Sequence, residues 1–217
     1  MKKSSILILI IICLVGCKKG SNETTITGEI KGLGTDTLYL YGMDELYDRI
    51  DTIYVENDKF SYTTSVDTIT SAYLLLKNRI EYPVFLDKGN KIKIKGDTIN
   101  LNFLTISGNI YNEEFTDFQK ALEDPADPSE KAGEETVDKR ITVEKANTAE
   151  EMAEEFILQH HSSYVSLYLL DKYFVQKETP DFSKIKKLVE VMTGVLQDKP
   201  YIERLNETIT QAEKSEI

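Results

Sequence analysis

The stretch ILILIIICLVGCKKG, Ile6 to Gly20, ends an apolar run on Cys17 and follows it with two lysines. Cys17 could act as a redox thiol, as half of a disulfide, or as the sulfur that receives a lipid. The only other cysteine, Cys13, lies within the apolar run. His160 and His161 are the only histidines. Adjacent residues on a helix point about 100° apart, so the pair cannot grip one ion from one face. No further ligands stand at metal-binding spacing, and a surface or helix-junction role is expected. The loop GMDELYDRID gathers Asp44, Glu45, Asp48 and Asp51 without the alternating grammar of a calcium loop; a solvated acidic turn is expected. Seven of the 12 tyrosines fall between Tyr39 and Tyr82. They suit strands by propensity, and on one sheet face they would also suit a binding surface. There is no Gly-x-Ser-x-Gly, no His-Glu-x-x-His and no phosphate-cradling glycine loop. The expectation is a protein that is no enzyme and uses no cofactor or metal.

The N-terminus decides among the roles of Cys17. Met1-Lys2-Lys3 is positive and Ile6 to Val15 is an unbroken run of ten apolar residues. A membrane-spanning helix needs about 20, so the run reads as the core of an export signal. It ends in Leu14-Val15-Gly16-Cys17, which resembles a bacterial lipobox. That resemblance implies that Cys17 carries a diacylglycerol and that cleavage removes residues 1–16. The bland alternative is a retained signal-anchor with an incidental thiol. More than one acyl chain gives stable anchoring, at about 0.8 kcal/mol per buried methylene. The mature chain from Cys17 would then hold neither a free thiol nor a disulfide. A tether from Cys17 to Thr24 spans at most about 25 Å, so the folded part is expected close to its membrane.

The chain has 26 Lys+Arg against 37 Asp+Glu, a net charge of −11. Without Lys2 and Lys3 the mature chain is at −13. Such a balance argues against nucleic acid and against anionic lipid surfaces, both of which need clustered cations. Residues Lys18 to Asn22 lack the acidic cluster that resembles surface-export signals of some Gram-negative lipoproteins. The expected location is the cell envelope, facing the periplasm, with inner and outer membrane both open.

Two periodicities divide the rest. From Thr25 to Ser107 the apolar residues alternate in short runs broken by turn signals, as in an antiparallel β-sandwich or barrel-like domain over residues 25–110. Within it, DTIYVENDKFSYT reads as a hairpin turning at Asn57-Asp58, and EYPVFLDKGNKIKIKGD as another bending at Lys88-Gly89-Asn90. TINLNFLTISG reads as a strand through Ile99, Leu101 and Phe103. Pro83 belongs at a sheet edge or strand start, since it cannot donate to a ladder. From residue 111 to 217 the period is helical. Phe115, Phe118 and Leu122 share a stripe, and an acidic linker at about 124–135 follows. A capping box at Thr148 and Glu151 is expected to open the next helix. Further helices are expected from about Ser163 to Val175, from Asp181 to about Gln197, and from Pro200 at a first-turn position. The fold class is therefore α+β, a β-domain followed by a small antiparallel helical region.

Gly28-x-Ile30-x-Gly32, Leu38-Tyr39-Leu40, Val55-x-x-Asp58-Lys59-Phe60, Pro83 to Asn90, Ile92-x-Ile94-x-Gly96-Asp97 and Ser107-Gly108 together resemble a known pattern. It is the β-domain of unknown function that stands ahead of thioredoxin-like domains in lipid-anchored thiol-disulfide oxidoreductases. The resemblance covers roughly residues 24 to 115, and the helices from Met152 to Gln211 are more loosely similar to the connector that follows. It implies fold, anchorage and the company kept. The redox activity does not carry over, because no Cys-x-x-Cys occurs and the thioredoxin domain is expected to be missing.

Asp-Thr-Leu/Ile occurs at Thr37, Thr52, Thr68 and Thr98. The string resembles the O-glycosylation sequon of exported proteins in one Gram-negative phylum; a turn residue handing over to a strand would produce it too. The expected function is a lipid-anchored periplasmic module that binds an envelope protein or exported polypeptide without catalysis. Two alternatives remain: a glycan or lipid binder, which needs a concave apolar pocket, and an accessory subunit of an envelope redox system.

Overall fold

The alternating pattern builds two sheets that share one interior. The computed structural model describes residues 22–43, 45–123 and 138–215. The expected export signal with Leu14, Val15, Gly16 and Cys17, most of the expected tether, Asp44 and the expected acidic linker lie outside the described residues. Strands β1 (Glu23–Lys31), β4 (Lys59–Ser65), β7 (Lys91–Asp97) and β8 (Thr105–Ser107) form sheet A in the order β4-β1-β7-β8. Strands β2 (Asp36–Gly42), β3 (Ile50–Val55), β5 (Thr70–Leu75) and β6 (Glu81–Leu86) form sheet B in the order β3-β2-β5-β6. Every pairing is antiparallel except that of β1 with β7. The two open sheets make a sandwich, and no barrel closes.

Register and burial agree. Ile26 and Ile30 of β1, Ile92 and Ile94 of β7, and Leu38 and Leu40 of β2 are buried between the sheets. Each contributes about 1.5–3 kcal/mol by leaving water. Gly28 sits in the same interior row because the Phe60 ring occupies the space a Cβ would need. Central strand β5 is buried along most of its length, which its nearly continuous apolar run requires.

Both expected hairpins prove to be corners. After Asn57 and Asp58, both in left-handed conformation at φ 51° and 68°, only Glu56 and Lys59 still face each other. The chain then leaves sheet B for sheet A. Likewise β6 ends in sheet B and β7 begins in sheet A, next to β1 and not β6. Turn residues encode a local reversal; they carry no information on which sheet the next strand joins. The expected strand through Ile99 is also absent. The Asp97 carboxylate accepts from the N–H groups of Ile99 and Asn100, turning the chain, and Ile99 is 95% exposed. Pairing resumes only at Thr105. Pro83 lies on β6, an edge strand, as its missing N–H demands.

Five α-helices follow among the described residues: α1 (Ile110–Glu123), α2 (Asp138–Gln159), α3 (Tyr164–Leu170), α4 (Phe182–Val191) and α5 (Pro200–Ser215). A π-helical turn, Asp171–Val175, extends α3. Helix α2 starts at Asp138, so Thr148 falls within it and the expected capping box does not open it. Ser163 and Asp181 cap α3 and α4 by accepting from the N–H groups of Val165 and Lys184. Helix α4 stops at Val191 and does not reach Gln197, because Met192 is extended and Gly194 takes φ +64°. Phe85 on the outward side of sheet B meets Tyr111 and Phe115 of α1, and Tyr73 meets Tyr168 of α3. The helices therefore roof sheet B and leave the outer face of sheet A open.

Candidate functional site

Helix α1 seals one side of the sandwich with side chains that stand in for a missing strand. Asn112 accepts from the Phe85 N–H at 3.0 Å and donates to the Phe85 carbonyl at 2.8 Å. One turn on, the Thr116 hydroxyl accepts from the Ile106 N–H and donates to the Ile106 carbonyl, both at 3.0 Å. The edges of β6 and β8 are thus satisfied by one helix, which manages the pairing hazard of open edges. The opposite side is different. Strand β3 is the other edge of sheet B and has no strand beyond it among the described residues.

That open edge carries the largest exposed apolar side chains of the sheet. Ile50 and Tyr54 on β3 are 73% and 74% exposed, and Tyr39 on the adjacent β2 is also exposed. All three project from the outward face, where Tyr54 is opposite Thr37 and Tyr39 opposite Thr52. The helical roof stops short of this strip, which offers apolar anchors beside a strand edge.

The tyrosine cluster consequently splits by environment. Tyr47 and Tyr82 are buried, and Tyr41, Tyr62 and Tyr73 are half-buried. Tyr41, Tyr73, Tyr168 and Phe115 form a continuous ring-to-ring chain with centroid separations of 5.7, 6.3 and 5.2 Å. These rings glue roof to sheet. Only Tyr39 and Tyr54 remain available to a partner.

The acidic loop is a lock between elements. Tyr47 donates to Asp51, and Arg49 donates to Asp51 at 3.1 Å and to the Ser65 carbonyl at 3.0 Å. Burial alone would raise the Asp51 carboxyl, yet hydrogen bonds from Tyr47, Tyr62 and Arg49 hold it below the ordinary value. Burial, then the bond to Asp51, pushes the Tyr47 phenol up to about 12. Glu45 pairs with Arg204 of α5. Among the described residues no group of three or more potential ligands is placed to hold a metal ion. The histidines occupy a helix junction: the His160 ring stacks on Phe156 at 4.1 Å, and His161 Nδ1 meets the Thr193 hydroxyl at 2.9 Å.

Sequence reasoning missed a buried carboxylate. Asp171 in the π-helical turn accepts from the Tyr201 hydroxyl at 2.5 Å and from Gln176 at 2.6 Å. Burial raises its pKa, and those two hydrogen bonds oppose the rise. The folded protein therefore holds this proton more readily than the unfolded chain does. Stability drawn from Asp171 is fullest below the ordinary value of 3.8 and declines as pH rises through the raised folded value. Asp171→Asn should flatten that part of the profile. Urea midpoints from acid to neutral pH should show the wild type losing ground to the variant as pH rises; parallel curves would refute the assignment.

Several open clefts mark the surface. One, of about 470 Å³, lies on the outer face of sheet A and is lined by Glu29, Lys31, Lys95, Asp97, Asn100 and Phe103, among others. A smaller one of about 190 Å³ lies beside Lys172, whose ammonium sits 5.6 Å from the ring centres of both Tyr168 and Tyr173. Crowding by protein pushes the Lys172 pKa down. Neither cleft is the concave apolar pocket a lipid ligand needs. Of the threonines in the repeated Asp-Thr motif, Thr52 and Thr68 are exposed, while Thr37 and Thr98 are half-buried.

No curated protein and no solved structure matches the chain. A family model does match, and it covers the whole sandwich together with the asparagine that seals it: residues 24–115 fit the model described as a domain of unknown function, DUF4369.

Proposed function

We propose that this chain is a non-catalytic, lipid-anchored protein of the periplasmic envelope that presents the β2–β3 strip to an extended segment of a partner polypeptide. The observation that carries the reading is the asymmetry of the sandwich. One side has its strand edges capped by Asn112 and Thr116; the other leaves β3 bare beside exposed Ile50 and Tyr54. An extended segment added to such an edge gains main-chain hydrogen bonds, and apolar side chains two residues apart along it select the sequence. The lipobox-like Leu14-Val15-Gly16-Cys17 supports the anchor. The resemblance to domains that precede thioredoxin-like modules makes an envelope thiol-disulfide oxidoreductase one partner worth naming, with this chain as its accessory subunit.

The test is affinity capture from envelope extracts with wild type and with the double variant Ile50→Asp, Tyr54→Asp. Both positions are exposed, so the thermal midpoint should hardly change. A partner recovered by the wild type should fall at least tenfold with the variant, since two anchors of this kind contribute more than about 1.4 kcal/mol. Equal recovery by both proteins would rule the strip out.

A further inference from the structure

The outward face of sheet A carries charge of the opposite sign to the protein as a whole. Lys91, Lys93 and Lys95 alternate along β7 and are all exposed. None of the three has an ion-pair partner among the described residues. Their neighbours in register are uncharged but for one: Thr25 faces Lys91, Thr27 and Ser107 face Lys93, and Glu29 and Thr105 face Lys95. Of the nearby carboxylates, Glu29 is 4.0 Å from Lys59, a further lysine on this face, and Asp97 is occupied by the turn that follows β7. The strand spacing sets the lysines about 6.6–7 Å apart, in a row across a polar sheet face with no roof.

We infer that this face rests on an anionic phospholipid surface, an inference that shares the membrane reading of the N-terminus. Two features favour a lipid plane over a soluble polyanion. The lysines stand on an open sheet face, and the cleft at the far end of their row is walled by Glu29 and Asp97, whose charge repels a polyanion. The chain also arrives there: Asn22 adjoins β1, and the apolar run ending at Val15 lies a few residues before it. Because β1 and β7 are parallel, Lys91 stands beside Thr25 at the end of the sheet where the chain enters. The net charge of −11 does not oppose this contact. Beyond a Debye length of about 8 Å the acidic remainder is screened, and the lipid feels only the nearest face. The β2–β3 strip, on the opposite sheet, then points away from the bilayer.

The test uses the protein as purified from membranes, placed in vesicles of phosphatidylcholine alone or of phosphatidylcholine mixed with phosphatidylglycerol. Acylation of each lysine by a membrane-impermeant reagent is read by mass spectrometry, with exposed Lys187 of α4 as internal reference. Phosphatidylglycerol should slow labelling of Lys91, Lys93 and Lys95 about tenfold, and high salt should reverse the effect. In the triple variant Lys91→Gln, Lys93→Gln, Lys95→Gln, protection of Lys59 on the same face should disappear. Equal labelling on both vesicles overturns the inference, and so does equal protection by soluble dextran sulfate on phosphatidylcholine. Flotation with phosphatidylglycerol vesicles alone supports the face and sinks the anchor; flotation with neither sinks both.

Discussion

Replacing Asn112 by leucine is expected to lower the stability of the protein by about 2–3 kcal/mol, an unusually large effect for a near-isosteric change. Asn112 is 1% exposed, and its amide serves both backbone groups of Phe85. Leucine fills the volume, so no cavity term arises, but the Phe85 N–H loses its acceptor in a buried place. The Phe85 carbonyl fares better, because Asn109 also donates to it at 2.8 Å. Asn109→Ala should accordingly cost less than Asn112→Leu. Urea unfolding at unchanged slope would measure both. If Asn112→Leu shifts stability by less than about 0.5 kcal/mol, the N–H has found another partner and the seal is not what holds the edge.

Gly108→Ala is expected to be costlier still, at about 3 kcal/mol or more. Gly108 has φ +113°, and a Cβ there would collide with the Lys91 carbonyl oxygen and stand 2.9 Å from the Ile92 Cα. Those are backbone atoms of β7, whose pairing with β1 on one side and β8 on the other prevents retreat. Gly34 provides the comparison. It also lies at positive φ, +73°, but a Cβ would meet nothing within 4 Å. Gly34→Ala should therefore lose only the conformational part, about 1 kcal/mol. Thermal melts of the two variants separate collision from conformation; similar midpoints would mean that the β7–β8 region yields.

Where one residue's pattern decides the outcome, the sequence was legible. Ile26, Ile30, Leu38 and Leu40 alternate and are buried, and Pro83 sits on an edge strand. What stayed hidden depends on the destination of the chain. Asn57-Asp58 and Gly89-Asn90 mark reversals, but whether the following strand pairs with its predecessor or crosses to the other sheet is settled by burial far away. The loop at Ile99 alternates like a strand and is diverted by one carboxylate. Asn112 and Thr116 look like ordinary polar helix positions until two strand edges arrive beside them. Of the site, the tyrosines were visible as a cluster, whereas their division into glue and exposed strip was not. The lysine row was visible as alternation within KIKIK; an overall acidic balance concealed what it becomes once its three lysines share an open face with Lys59.

The parallel pairing of β1 with β7 has a kinetic consequence. Thr25 cannot meet Lys91 until nearly the whole β-domain has been synthesised, and contacts so distant along the chain slow folding towards the millisecond-to-second range. The first strand must wait, half-partnered, while later ones emerge. That interval is when a chaperone would bind and when a protease would cut.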